Sequence, residues 1–268
     1  MRFASLAAVS AVALAAPLQA AVFVSSVSDY TAGALSTPRT NSAAAVGAPA
    51  TVHAGGVLSP FNPAYANEDI VGIGAGGQIT LSFATPIFDV PGPDVGVVTN
   101  IGLIDASFPS GTATNPAGTF NALPRVADVA VSSDGTTFLP VGRVTFENPA
   151  NAFTNTPNPF DLEAPANPQP ADFGKPFTGT LASFGGLSWT QSLALLNGSG
   201  GGTWIDVGPA GLASLRFVRF SIPQAGIAGS DDRFFVDAVM ASNAAIPEPA
   251  TLSLLAFGVA ALARRPRR

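Results

Sequence analysis

The sequence predicts an all-β fold, a single β-sandwich, and three observations carry that expectation. Short runs rich in Val, Ile and Phe alternate with clusters of Gly, Pro, Asp and Ser, the spacing of strands and turns. Composition agrees: 28 Gly and 24 Pro stand among only 11% charged residues, and no sustained amphipathic helix interrupts the pattern. Two apolar runs at the ends set themselves apart, and the stretch between them fits one sandwich or barrel of about 200–250 residues. Such a length buries a real core without staples. Cysteine is absent, so packing and hydrogen bonds, with or without a bound ion, must hold the domain together.

The elements follow in order. Residues 21–66 are rich in Ala, Ser and Thr and carry weak strand signals near Val22–Val27 and Thr51–Leu58. A clearer body spans residues 67–243. Within it, Gln78–Phe83 alternates Ile79, Leu81 and Phe83 against Gln78, Thr80 and Ser82, as a half-buried antiparallel strand does. Pro91-Gly92-Pro93 marks a turn before strands near Val95–Thr99 and Ile101–Ser107. Val126–Ser132 and Thr137–Val144 flank Ser133-Asp134-Gly135-Thr136, and Asp-Gly between strand-like runs is a strong hairpin signal. Residues 148–176 form an insertion punctuated by Pro149, Pro157, Pro159, Pro165, Pro168, Pro170 and Pro176, a loop long enough to be functional or mobile. A helical turn fits Gln191–Leu196, glycines turn the chain at 198–202, and a short strand fits Thr203–Val207. Leu215–Ile222 and Arg233–Ala241 close the body. Read as one strand, the latter puts Asp237 among apolar neighbours, which costs free energy unless it is paired or binds a metal.

Residues 1–20 have the parts of a secretory signal peptide: Arg2, an apolar run from Phe3 to Ala16, a break at Pro17 and small residues at the cut. The other end joins Pro247-Glu248-Pro249 to an apolar run from Ala250 to Ala263 and then to Arg264, Arg265, Arg267 and Arg268. In a bilayer that run must be helical, because lipid leaves no partner for an open backbone. At about 1.5 Å per residue it reaches only about 21 Å, short of the roughly 30 Å hydrocarbon core, which suits a temporary anchor better than a permanent one. The arginines hold the cytoplasmic side.

Residues 246–268 resemble the PEP-CTERM sorting signal of Gram-negative bacteria, with motif, hydrophobic helix and basic end in order. The resemblance implies that an exosortase is the partner, recognising Pro247, Glu248 and Pro249 in its substrate. It also implies transient anchoring in the inner membrane through the C-terminal transmembrane sorting helix. The mature protein is then expected at the cell surface or in the extracellular matrix.

Charge narrows the partners further. Of 12 basic residues, Arg2 and the four terminal arginines lie in the two signals, so 7 stand against 17 acids if Glu248 of the sorting motif is counted, and against 16 without it. Such a field disfavours nucleic acid and anionic membrane and favours neutral polysaccharide and divalent cations.

Residues 68–241, through GIGAGGQITLSF, VADVAVSSDGTTFLPVG, LRFVRFSIP and RFFVDAVMA, resemble the galactose-binding-like jelly rolls of bacterial surface proteins. Val95-Gly96 departs from that likeness, since relatives often have bulkier residues there, and so does the proline-rich insertion. The resemblance implies a jelly-roll β-sandwich, a role in binding or adhesion, and calcium as a structural ion. Asp94 and Asp237 are its expected ligands, because the likeness puts acids there and both have apolar neighbours.

Catalytic equipment is sparse. His53 is the only histidine and lies outside any nucleophile-elbow pattern. Gly72–Gly77 precedes a strand and not a helix, so it is no dinucleotide fingerprint. No Cys/His spacing suits zinc. Trp189 is the candidate for stacking on a sugar ring. The expected role is therefore a non-catalytic, carbohydrate-binding or adhesive protein of the envelope or exopolysaccharide matrix. The alternative is a carbohydrate-active hydrolase using paired carboxylates.

Overall fold

Twelve strands and one α-helix make up the described part of the protein, residues 21–35, 39–121 and 123–242 of a computed structural model. The expected signal peptide and sorting segment lie outside the described residues. Among those described, no helix is long and apolar enough to cross a membrane.

The strands are β1 (Val22–Thr31), β2 (Val52–His53), β3 (Gly56–Val57), β4 (Val71–Gly74), β5 (Gln78–Phe88) and β6 (Val95–Val98), then β7 (Arg125–Ser132), β8 (Leu139–Phe146), β9 (Thr203–Ile205), β10 (Ser214–Ser221), β11 (Arg233–Val236) and β12 (Ala238–Ala241). The helix α1 spans Trp189–Leu196. The main ladder runs β8-β7-β10-β5-β1-β12-β6-β9, with β11-β4 and β2-β3 as separate pairs. Every pairing between named strands is antiparallel.

Strand β1 turns the ladder into two faces. Its first residues pair with β12 (Val22↔Ala241, Phe23↔Met240) and the rest with β5. The shared core holds Ile79, Leu81, Val129, Val131, Val218 and Phe220 from the β5 side and Ile73, Phe234, Val95, Val97 and Val239 from the opposite side. This is a β-sandwich, compatible with a jelly roll. At its centre Phe146, Phe220 and Phe234 meet in pairs with ring centroids 4.4–5.9 Å apart, each worth about 0.5–1.5 kcal/mol beyond area burial. Because β1 is a central strand, residues 21–66 are not separable from the sandwich body.

The expected hairpin is present. Asp134 Oδ1 accepts from the backbone N–H of Thr136 and Thr137, Gly135 takes φ +76°, and β7 and β8 pair on either side. Those two backbone N–H groups, with the Ser132 hydroxyl, hold the Asp134 carboxyl well below the usual carboxylate range.

Three local expectations are corrected. Residues 79–83 of β5 are buried on both faces, because side chains of neighbouring strands lie over the polar one: Thr80 Oγ1 accepts from Arg219 Nε, and that guanidinium stacks 3.6 Å over Phe138. Residues 101–107 form no named strand, only bridges such as Leu103↔Thr119 and Asp105↔Ala113. Residues 233–241 make two strands, not one. Phe234 and Val236 face the main core, then Val239 and Ala241 do, so the alternation slips by one at Asp237. The slip lets β11 pair with β4 while β12 joins β1 and β6.

The proline-rich insertion packs down onto the body. Ala150, Ala152, Phe153 and Phe173 join Val57, Leu58, Val98 and Met240 in one cluster. A neighbouring cluster gathers Phe61, Phe177, Phe184, Trp189 and Leu196 beneath α1. That helix starts at a capping box, Ser188 with Gln191, and stops at Asn197 in the left-handed region.

Candidate functional site

Carboxylates, aromatics and one buried guanidinium are the side chains with chemistry to offer, and the fold distributes them over three places.

The first surrounds Asp94, just before β6. Its side chain is fully buried (0% exposed), and Oδ1 and Oδ2 accept from the backbone N–H of Val90 and Val207, both at 3.1 Å. Burial raises the Asp94 carboxyl above its usual range, against those two hydrogen bonds, and Asp89 and Asp206 add to the rise. Oxygens of Asp89, Asp94 and Asp206 all lie within 4.8 Å of one another. Asp89 and Asp206 also line an open cavity of about 300 Å³. Three oxygen donors suit a hard cation such as calcium and not zinc. Asp94 itself is already engaged at both oxygens, so it braces the 89–94 and 205–207 segments whether or not an ion is bound.

The second place is the β11–β12 break. Asp237 is 2% exposed, its N–H donates to Val98 O, and its Oδ2 has no hydrogen-bond partner. Burial pushes its carboxyl up to about 8, opposed by the Ala50 backbone and reinforced by Asp69. Asp69 also has a buried oxygen without a partner, as do Thr99 and Asn100, which follow Val98 in the chain. Burial raises Asp69 too, with His53 opposing and Glu68 reinforcing. Oxygen atoms left bare in this way are what a divalent cation would satisfy.

The fold therefore does not bring Asp94 and Asp237 together. Ala238 pairs with Val98 and Ala241 with Val95, so the two acids flank opposite ends of the β6–β12 ladder, on the order of 15 Å apart at about 3.4 Å per residue. One ion cannot take both. Asp231 and Asp232, the other acids of that stretch, are occupied by Arg125 and Arg233 and by the Ile227 N–H respectively.

Among the aromatics, the expectation for Trp189 is corrected. It is 6% exposed, in van der Waals contact with the α1 cluster, and its Nε1–H donates to Thr156 O at 2.9 Å. No ring face is left for a sugar, because the packed insertion covers it. Trp204 is half-buried and donates to Gly201 O. Tyr65 is exposed and meets His53 edge-on at 5.6 Å. His53 itself has Nδ1 accepting from Gly55 N–H and Nε2 bonded to Asn62 O, a structural role in the β2–β3 turn.

The third place escapes sequence reasoning. Arg125, at the start of β7, is 4% exposed yet borders two adjoining cavities of about 190 Å³ each. It pairs with Asp231, donates through Nη2 to Asn121 Oδ1 at 2.8 Å, and lies 4.8 Å over the Phe235 ring. Burial brings its guanidinium down to about 10, against the pull of Asp231. Its Nε and the Nδ2 of Asn121 are buried without partners. The only sequence hint is a pair of large apolar residues in a loop, Phe120 and Leu123, which prove exposed.

Residues 245–268 match the PEP-CTERM protein-sorting motif. No curated protein matches the chain. The chain thus carries the mark of an exosortase substrate, exported and sorted to the cell envelope or surface, and the motif begins three residues after the last described residue, Ser242.

Proposed function

We propose that this surface-sorted protein is a non-catalytic glycan-binding or adhesive module of the envelope or exopolysaccharide matrix. The observation that carries it is the sorting motif at residues 245–268, joined to a single sandwich that ends at Ser242. In this reading residues 1–20 direct export and the apolar run before the arginines holds the protein briefly in the inner membrane. Exosortase processing at Pro247-Glu248-Pro249 then releases it to the outside. A non-catalytic role is supported by what the polar groups already do: His53 is bound at both ring nitrogens, and Asp94 at both carboxylate oxygens.

Calcium belongs to the same proposal, as a structural ion. Asp237 and Asp69 fit it, since each has a buried oxygen without a partner. The ion would supply positive charge there, allowing both carboxylates to ionise in a buried site.

The test is to incubate the exported protein with a panel of neutral polysaccharides, measuring binding and release of reducing ends separately. Binding without hydrolysis is expected. Turnover abolished by Asp89→Ala or Asp206→Ala would establish the hydrolase alternative instead, and absence of binding to every glycan would reduce the role to a purely structural one.

A further inference from the structure

Two adjoining cavities share the wall formed by Asn121, Leu123 and Arg125. Each is about 190 Å³, below the roughly 300–1,000 Å³ of sites for drug-sized ligands, so each has room for a single ring. The wall carries the two buried donors without partners, Arg125 Nε and Asn121 Nδ2. A buried donor left unmade costs about 1–3 kcal/mol, so a pair of them on one wall calls for an acceptor from outside the chain.

The surrounding charges say which kind. Arg125 and Arg233 are paired with Asp231, and Glu147 lines the second cavity. Among the lining residues two cations thus face two carboxylates, so the walls carry no net charge to attract an anion, and a carboxylate ligand would meet Asp231 or Glu147. The cleft instead offers donors and an acceptor side by side, the pattern that adjacent hydroxyls satisfy, since each hydroxyl both donates and accepts. Phe120, 60% exposed, and Leu123 add an apolar shelf at the mouth. The C–H face of a sugar ring fits such a shelf.

We infer that the cleft around Arg125 is the glycan site, and that it takes a neutral pyranose ring through two adjacent hydroxyls. Arg125 Nε and Asn121 Nδ2 donate to the oxygens of the two hydroxyls, Glu147 accepts from one of those hydroxyls, and Phe120 covers the apolar face. The assignment rests on the glycan-binding reading above and specifies where and what it binds.

The experiment titrates full-length protein, held in mild detergent, with a neutral glucan, galactan and mannan and with a polyuronate. Phe120→Ala, Asn121→Ala and Glu147→Gln are compared, each with its melting curve. Phe120→Ala removes an exposed ring and so leaves the fold intact, which keeps the comparison valid if a buried variant unfolds. Binding of a neutral glycan, weakened about tenfold or more in Phe120→Ala with unchanged melting, is expected. Equal binding by wild type and Phe120→Ala would overturn the assignment and leave glycan binding standing elsewhere on the protein. Binding of the polyuronate alone would overturn the neutral class. Binding of no glycan at all would overturn this site together with the function it rests on.

Discussion

Gly96 faces Trp204 across the β6–β9 ladder, and the indole fills the space a side chain would take. A Cβ on Gly96 would stand 2.8 Å from Trp204 Cε2 and 2.7 Å from Met240 Cε. A small residue is required at position 96 because the ring from the opposite strand fills that space. Gly96→Val forces the indole and Met240 to move, and overpacking of this kind costs about 1–3 kcal/mol. A lower urea midpoint with an unchanged slope is the expected result, and an unshifted midpoint would mean that Trp204 has room to turn aside.

The calcium proposed for the β11–β12 break would have a specific signature. Saturating calcium is expected to raise the melting temperature of the wild type, with about 2.7 kcal/mol of added stability at a hundredfold excess over Kd. Asp237→Asn abolishes that shift and Asp94→Asn retains it. The opposite pattern would move the ion to the Asp89–Asp94–Asp206 group.

Without calcium, pH is expected to act in one direction. Burial holds the folded Asp237 carboxyl near 8, against about 3.9 in an unfolded chain. Between these values the folded state binds the extra proton, so its stability falls as pH rises from about 4 to about 8 and levels off above. Chelator-treated protein should melt higher at pH 5 than at pH 8. Asp237→Asn, which cannot ionise, should flatten the profile.

Processing at the sorting motif is checked by mass. Replacing Pro247, Glu248 and Pro249 with alanine leaves uncut protein in the membrane fraction, whereas the wild type loses its tail when expressed beside an exosortase. Identical products from both would remove the motif from recognition.

Trp189→Phe separates a packing role from a binding one. Most of the ring volume is kept, but Thr156 O loses its donor, at a cost of about 1–3 kcal/mol. Glycan affinity should not change.

The strands were legible where local pattern and final surroundings agree, as at Val126–Ser132, Leu215–Ile222 and the Asp134-Gly135 turn. Arg233–Ala241 misleads because its alternation is unbroken in sequence; only the demand for β11 to reach β4 and β12 to reach β1 reveals the slip at Asp237. Asp94 and Asp237 were visible as acids among apolar neighbours, but their separation depends on strand register. Beside Gly185-Gly186, Trp189 fits rim or core equally well from sequence, and its burial comes from a proline-rich segment some thirty residues earlier. Arg125 gave no sign beyond the apolar Phe120 and Leu123 in the loop before it. Its partners, Asp231 and Arg233, are more than 100 positions away.

The pairing of Val22 with Ala241 has a consequence for how the protein is made. Most of β1 can pair with β5 early, but Val22 and Phe23 meet β12 only after nearly the whole polypeptide has crossed, so closure of the sheet must wait for the end of export. Ala21 and Ser242, the outermost described residues, thus lie beside each other at one corner of the body.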